Sequence, residues 1–173
     1  LVNTTGTDHT VVGTQAGKSV TTGSGNTFLG KYAGYYTTTG HSNVFIGYRT
    51  NGEYGAGHLV TTGSKNTVIG GYNGNQYGVD IRTTSNDVVL SDGDGFPRAH
   101  FDGGETWNFS CGATNAVTED RVSIDKTAMY PFPDGGTNLG YAAYRWGQIY
   151  STVGSISTSD ARDKTSVTAL TAD

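Results

Sequence analysis

A short motif recurs along the first half of the chain and constrains the fold more than any other feature. Each copy reads Thr-Thr-Gly, two variable residues, a polar residue that is usually Asn, a short apolar run and Gly. Four copies begin at Thr4, Thr21, Thr38 and Thr61 and a degenerate fifth at Thr83, so the starts lie 17, 17, 23 and 22 residues apart. Fixed anchors with variable spacers predict a coiled β-structure in which the extra residues bulge on one side.

Each repeat combines a turn with a short strand. Gly and Asn adopt positive φ at low cost, which suits Thr-Thr-Gly-x-x-Asn to a turn. The next residues, such as 27–29, form a strand whose successive side chains point to opposite faces, and the Gly after them leaves room for close backbone approach. Because adjacent strand residues are apolar, we expect one face to line the coil's interior and the other to contact a neighbouring chain. A single coil of about 17 residues cannot bury its strand alone, so the coils must stack. Because the strands are short and the interior is small, we predict three chains sharing an axis.

Composition favours an all-β chain and limits its partners. Gly accounts for 27 of 173 residues and Met for 1, so strong helix formers are too scarce for a helical bundle. The net charge of −4, without a Lys/Arg cluster, disfavours nucleic acid and anionic membranes as partners. No apolar run approaches the roughly 18 residues of a membrane span, so no membrane insertion is expected.

The pattern changes after residue 86. Asp-Gly dipeptides, which are typical of hairpin turns, separate short strand-like runs at 87–91, 98–102, 106–110, 121–125 and 127–130. We predict a β-meander here, with Pro131 and Pro133 breaking its last strand, and a weak helix only around 160–170. The predicted organisation is a repeat coil over 1–85, a meander over 86–134, a β segment over 135–158 and a final short segment over 159–173.

Two parts of the chain resemble bacteriophage fibre proteins. The Asn-x-Φ-Φ-Gly-x-x-Ala-Gly repeats, where Φ is apolar, are similar to those of phage tail fibres and bacterial surface adhesins, which form trimeric parallel β-coils. Residues 137–140 (Thr-Asn-Leu-Gly), 144–146 (Tyr-Arg-Trp) and 148–150 (Gln-Ile-Tyr) resemble the segment before the intramolecular chaperone of endosialidase-type tail spikes and fibres, and 156–164 resemble its opening. The resemblance implies an elongated, intertwined homotrimer in a virion tail fibre.

The resemblance also implies a self-cleavage site. In that family the chaperone cuts itself off between Ser and Asp, which by position gives Ser159–Asp160 as the scissile bond, Ser159 as the nucleophile and Lys164 as the base. A Ser hydroxyl needs a neighbouring base, and Lys can serve only when its pKa is depressed. Because the chain stops at Asp173, far short of a whole chaperone, we expect this fragment to be inert there and not to be an enzyme.

Tyrosines in the repeat region suggest a receptor site, because aromatic rings stack on sugars. They are Tyr32, Tyr35, Tyr36, Tyr48, Tyr54, Tyr72 and Tyr77. The alternative is that they cover Gly-rich backbone or lie between chains. The long third repeat provides the favoured surface loop, 51–60, which holds Glu53, Tyr54 and His58 and follows Arg49. Loops on a rigid scaffold often carry binding residues, so these four are the predicted receptor-binding residues.

No metal or cofactor site is expected. The four histidines lack ligand spacing, although one His of a trimer would supply three ligands, so an ion on the trimer axis at His9 stays an alternative. Asp92-Gly-Asp94-Gly lacks the downstream Glu of a calcium loop. Nearly all Asp residues occupy turn positions, so no catalytic carboxylate pair is supported.

The predicted function is a structural and receptor-binding part of a phage tail fibre or spike that adheres to host surface polysaccharide or lipopolysaccharide. The alternatives are a purely structural shaft, a capsule-degrading tail spike enzyme and a bacterial trimeric adhesin.

Overall fold

The computed structural model describes residues 5–49, 52, 54–110 and 121–132. All of them belong to one compact unit. Over the described residues the chain is all-β, as predicted, with thirteen strands and no helix. That part of the chain therefore has no helix able to cross a membrane. The predicted segments 135–158 and 159–173, and the helix expected at 160–170, lie outside the described residues.

Nine of the strands form one sheet that changes from parallel to antiparallel pairing. In chain order the strands are β1 (Thr10–Val12), β2 (Thr27–Leu29), β3 (Val44–Ile46), β4 (Tyr48–Arg49), β5 (Tyr54–Gly55), β6 (Thr67–Ile69), β7 (Asn75–Gln76), β8 (Val79–Asp80), β9 (Asp87–Ser91), β10 (Pro97–Asp102), β11 (Trp107–Ser110), β12 (Arg121–Ile124) and β13 (Met129–Phe132). The sheet order is β1-β2-β3-β6-β9-β10-β11-β12-β13. Pairing is parallel from β1 to β9 and antiparallel from β9 onward.

The parallel strands enclose four turns of a β-solenoid, which confirms the predicted coiled β-structure. We call residues 10–86 the solenoid and residues 87–132 the meander. Hydrogen bonds between turns continue beyond the strands. The Gly34 N–H donates to the Ala56 carbonyl at 3.0 Å, and the Thr38 N–H donates to the Thr61 carbonyl at 2.8 Å. Each turn is thus bonded to the next at several points around its circumference.

The middle residue of each parallel strand points into the solenoid. Phe28 and Phe45 are fully buried and stack on each other with ring centroids 5.3 Å apart. Val68 and Val89 are fully buried at the equivalent positions of the next strands. The expected apolar interior is therefore confirmed, and it is built within one chain.

A ladder of buried asparagines joins successive turns. The Asn43 N–H donates to Oδ1 of Asn26, and the Asn66 N–H donates to Oδ1 of Asn43, each at 2.9 Å. The Nδ2 atoms of Asn26, Asn43 and Asn66 each donate to a backbone carbonyl one turn along. The acceptors are Gly40, Gly63 and Thr84, respectively, each at 2.9 Å. A buried amide is costly unless it is hydrogen-bonded. The repeated Asn is thus a bridge between turns rather than a positive-φ turn residue, which corrects the sequence interpretation.

The positive φ falls instead on the residue before the ladder position. These residues, with their φ values, are Asp8 (63°), Gly25 (67°), Ser42 (56°), Lys65 (59°) and Asn86 (68°). The Gly of Thr-Thr-Gly is required for space, because a Cβ at Gly40 would collide with the carbonyl of Gly63. The Gly after the strand is required both for its positive φ and for space. Gly30 has φ +134°, and a Cβ there would collide with the carbonyl of Gly47, so the predicted close backbone approach is confirmed.

The ladder ends where the motif departs from Asn. At the first turn Nδ1 of His9 accepts the Asn26 N–H at 3.3 Å. At the last turn the Asp87 N–H donates to Asn66 Oδ1 at 2.9 Å. The Asp87 carboxylate lies 3.1 Å from Nε2 of His100 and accepts the Thr84 hydroxyl at 2.7 Å. A side chain that accepts hydrogen bonds through its carboxylate therefore lies where the parallel stacking stops.

The two longest repeats carry their extra residues as hairpins, β4–β5 and β7–β8. The Arg49 guanidinium donates to Gln76 Oε1 at 3.1 Å, so the hairpins contact each other and the insertions bulge on the same side, as predicted. The predicted surface loop 51–60 is wrong over its second half. Ala56 and Val60 are fully buried because these residues form the wall of the third turn.

The meander follows the predicted strand runs closely, with one correction. Pro131 does not break the last strand, because it lies within β13 and pairs with Val122. β13 is the last strand of the sheet among the described residues, and an edge strand accommodates Pro since some of its N–H groups have no ladder partner. Pro133 lies outside the described residues.

The outer face of the sheet is formed by two rows of residues that run across all nine strands. The first row is Thr10, Thr27, Val44, Thr67, Val88, Phe101, Trp107, Ile124 and Met129, and the second is Val12, Leu29, Ile46, Ile69, Leu90, Ala99, Phe109, Val122 and Pro131. We call these two rows the outer strip. It contains no charged residue.

Candidate functional site

One flank of the solenoid carries a column of cationic and aromatic side chains. Lys18, Tyr35 and His58 occupy equivalent positions in three turns, since the Ser19 N–H donates to the Tyr35 carbonyl and the Tyr36 N–H to the His58 carbonyl, each at 3.1 Å. The Lys18 ammonium lies 3.0 Å from the Tyr35 hydroxyl. The Tyr35 and His58 rings stack with centroids 5.0 Å apart. The solenoid repeat therefore places these three side chains one above another.

His58 is the centre of a five-ring cluster. Its ring meets the rings of Tyr32, Tyr36 and Tyr54 edge-on, with centroids 5.9, 5.1 and 5.0 Å away. We call Tyr32, Tyr35, Tyr36, Tyr54 and His58 the aromatic cluster. Edge-to-face and stacked pairs at these distances are favourable ring geometries, so the cluster is a packed unit.

The environment of His58 disfavours the protonated form of its imidazole. The residue is 8% exposed, and burial lowers its pKa, while a hydrogen bond with the Tyr32 backbone opposes that effect. Its Nδ1 atom is buried without a hydrogen-bond partner. A buried polar atom without a partner costs free energy, so the cluster holds His58 at some expense to stability.

The solvent-facing side of the cluster combines an aromatic surface with cations. Tyr36 is 46% exposed, and the other three tyrosines are half-buried. The Tyr35 hydroxyl raises the pKa of Lys18, which is exposed. The Lys31 ammonium lies 4.8 Å from the Tyr32 ring centroid and 5.3 Å from that of Tyr48. Rings, hydroxyls and ammonium groups are thus presented together.

Local backbone geometry brings Tyr32 and Tyr54 to the cluster. Tyr32 has a left-handed φ of 58°, as does Gln15 at the preceding turn with 56°, so the bend belongs to the repeat. Tyr54 arrives on the β4–β5 hairpin, which packs against the second turn through Gly55. A Cβ at Gly55 would collide with the backbone of Tyr32 and Ala33.

The structure brings together two of the four predicted receptor residues, Tyr54 and His58. Arg49 pairs with Tyr54 across the hairpin, and its Nε atom is buried without a partner. Glu53 lies outside the described residues, as do Ser159, Asp160 and Lys164. His58 lies in the wall of a turn and not on a flexible loop, which corrects the placement expected for it.

The sequence interpretation missed the column as a unit, although a signal was present. Lys18, Tyr35 and His58 each directly follow an Ala-Gly pair. Aligning the Ala-Gly pairs, and not only the Thr-Thr-Gly anchors, would have placed these side chains above one another.

Two of the tyrosines first considered for binding are structural. Tyr72 is fully buried and its hydroxyl donates to the Val79 carbonyl at 2.8 Å. Burial, with smaller contributions from Asp80 and Asp87, raises its pKa. Tyr77 stacks on Phe96 with centroids 4.1 Å apart. These rings fill space and do not extend the aromatic cluster.

Within the described part of the chain, no group of three His, Cys, Asp or Glu residues could hold a metal ion. The Asp92-Gly-Asp94-Gly stretch is instead a turn. Asp92 Oδ1 accepts the N–H groups of Asp94 and Phe96 at 3.0 Å, and Oδ2 accepts the Arg98 guanidinium.

No protein-family model, curated protein or solved structure matches the chain. The class of the protein therefore rests on the strand pairing alone. Over the described residues it is an all-β protein built on a β-solenoid of four turns.

Proposed function

We propose that the chain is part of a bacteriophage tail fibre or tail spike, where it forms shaft structure and adheres to a host surface polysaccharide or lipopolysaccharide. The observation that carries the adhesive role is the aromatic cluster on a solenoid flank. The virion location and the homotrimer are supported by the resemblance of the repeats and of residues 137–164 to phage fibre sequences.

The chemistry of the cluster suits a sugar ligand. Sugar rings present C–H faces that pack on aromatic rings, and tyrosine hydroxyls and the Lys18 ammonium supply polar contacts. Each turn is bonded to the next through the asparagine ladder, so the cluster stands on a rigid scaffold, as binding residues commonly do.

The proposal assigns no enzymatic activity and no cofactor to this chain. Self-cleavage at Ser159–Asp160, with Ser159 as nucleophile and Lys164 as base, is supported only by the resemblance of residues 156–164 to the opening of the chaperone. Nucleic acid and membranes are not proposed partners, because the net charge is −4 and a basic patch is the usual requirement for either.

A glycan microarray probed with the full chain tests the adhesive role. We expect Tyr36→Ala to weaken binding to any positive glycan about tenfold, or 1.4 kcal/mol, because the most exposed ring of the cluster is lost. Tyr130→Ala is the matched control, since Tyr130 is 37% exposed on β13, away from the cluster. Equal binding by Tyr36→Ala and wild type would contradict the assignment, and release of reducing ends from the glycan would favour the depolymerase alternative.

A purely structural shaft is the second candidate, and the burial of His58 among its neighbouring rings favours it. In that case Tyr36→Ala would lower the melting temperature while no glycan bound the wild type. Measuring binding and melting on the same two variants separates the two functions.

A further inference from the structure

We propose that the outer strip is the surface through which copies of this chain associate, side by side and in register around a common axis. The inference deepens the proposed homotrimer and rests on it. It assigns the contact to one face of the nine-stranded sheet and specifies which residues of different copies meet.

Apart from Thr10, Thr27 and Thr67 the strip is apolar, and apart from Ala99 it is at least partly open to solvent in the single chain. The most exposed of its large apolar side chains are Val12 (57%), Leu29 (46%), Ile69 (45%), Leu90 (41%), Phe109 (40%), Ile124 (39%) and Met129 (59%). Soluble monomers rarely expose contiguous apolar patches of more than a few hundred Å². The opposite face of the parallel strands is already filled by Phe28 and Phe45, so these strands bury one face and leave the other without a cover among the described residues.

The shape of the strip favours an elongated partner. Nine strands at a spacing of about 4.8 Å make the strip about 38 Å long. Across the strands it is only two rows of side chains wide. A small ligand would cover a fraction of it. A second long sheet face would cover all of it.

The spacing of the strip favours a second copy of this chain. Its side chains repeat at the strand spacing, because Val12, Leu29 and Ile46 are direct neighbours on parallel strands. A surface with the same spacing and the same length of nine strands places a side chain against each of them, and another copy of this sheet has both. Homo-oligomers are most often closed and symmetric, which agrees with like surfaces meeting.

The change in character along the strip favours alignment in the same direction. Its solenoid part consists of aliphatic residues and threonines, whereas its meander part contains three aromatic residues in contact. Trp107 lies 5.4 Å from Phe101 and 5.9 Å from Phe109, centroid to centroid. A cyclic arrangement around an axis along the strip places the solenoid part of one copy against the solenoid part of the next. It likewise places the aromatic residues of one copy against those of the next. An antiparallel arrangement would set the aromatic part against the smaller Val12 and Leu29 end.

Light scattering on the full chain, with and without Leu29→Lys, provides the first test. We expect wild type at three times the 18.1 kDa chain mass and Leu29→Lys at the mass of one chain with its β-sheet circular dichroism retained. Tyr36→Lys is the matched control, because Tyr36 and Leu29 are both 46% exposed and only Leu29 lies on the strip. We expect this control to remain a trimer.

The outcomes separate the two claims. A monomeric wild type would overturn both the homotrimer and the role of the strip, and would leave residues of the same chain as its cover. A trimer that survives Leu29→Lys would overturn the strip assignment alone and leave the homotrimer standing.

Disulfide trapping tests the register directly. In a Cys111→Ser background, we expect Leu29→Cys copies to cross-link with each other and Leu90→Cys copies likewise. After the two variants are unfolded, mixed and refolded, we expect little cross-linking between position 29 and position 90. Mixed cross-links as abundant as like-with-like ones would overturn the in-register arrangement.

Discussion

The solenoid and the meander share one sheet but satisfy their polar groups in different ways. In the solenoid, buried asparagines bond to backbone 14 to 23 residues away. In the meander, exposed aspartates bond to backbone within their own turns, as Asp102 does with the N–H groups of Gly104 and Thr106. Removing one of these polar side chains should therefore loosen several turns in the solenoid and only one turn in the meander.

The largest expected effect is the loss of a ladder rung. Asn43→Ala leaves the Asn66 N–H and the Gly63 carbonyl buried without partners, and we expect it to lower the free energy of unfolding by about 4 kcal/mol. Asp102→Ala in the meander exposes its freed N–H groups to water, so we expect a loss of about 1 kcal/mol. Urea unfolding of both variants measures the difference. Equal losses would show that the ladder does not distinguish the two regions.

A second effect comes from the close approach of turns in the solenoid. A Cβ at Gly40 would meet the Gly63 carbonyl, which is backbone and cannot rotate away, whereas a Cβ at Gly93 would meet nothing within 4 Å. We expect Gly40→Ala to cost about 2 to 3 kcal/mol and Gly93→Ala to stay within about 1 kcal/mol of wild type. Thermal unfolding would detect the contrast. A Gly40→Ala chain as stable as Gly93→Ala would mean that the turns are not this closely stacked.

The smallest effect is a difference in acid sensitivity. Burial lowers the pKa of His58 from 6.5, so below about pH 6.5 the unfolded chain takes up a proton that the folded chain resists, and stability falls with pH. The pKa of Asp92 is also below its ordinary 3.8, because hydrogen bonds from Arg98 and two backbone N–H groups outweigh the opposing effect of burial. Its contribution is present above about pH 3.8 and is lost only as the pH falls further.

Melting temperature measured from pH 8 to pH 3 should therefore fall in two steps. The His58→Gln variant should lose the first step and keep the second. A profile for this variant that matches wild type between pH 7 and pH 5 would show that His58 is not responsible for the first step.

The fold was predictable to the extent that it follows from repeated residues. The motif spacing predicts the turns, the apolar residues Phe28 and Phe45 predict the interior, and Asp-Gly pairs predict the first two hairpins of the meander. The asparagine ladder was not predictable, because Asn in a turn motif is equally consistent with positive φ and with a side-chain bridge. His9 and Asp87 show the distinction in retrospect, since the motif departs from Asn where the ladder ends.

The candidate site was predictable only in part. The length of the third repeat points to Tyr54 and His58, and these two residues do contact each other. Their contacts with Tyr32, Tyr35 and Tyr36 depend on how neighbouring turns stack, which motif spacing alone does not give. The burial of His58 was missed for the same reason, because the residues after an insertion return to the wall of the turn.

Amide hydrogen exchange measured by NMR tests the central claim most directly, namely that the ladder couples the turns of one chain into a rigid scaffold. The account predicts that the Asn43, Asn66 and Asp87 amides exchange together, at the slow rate set by global unfolding. The Asp94 and Thr127 amides, which are bonded only within meander turns, should exchange faster. Ladder amides that exchange at separate rates, or as fast as those two, would contradict it.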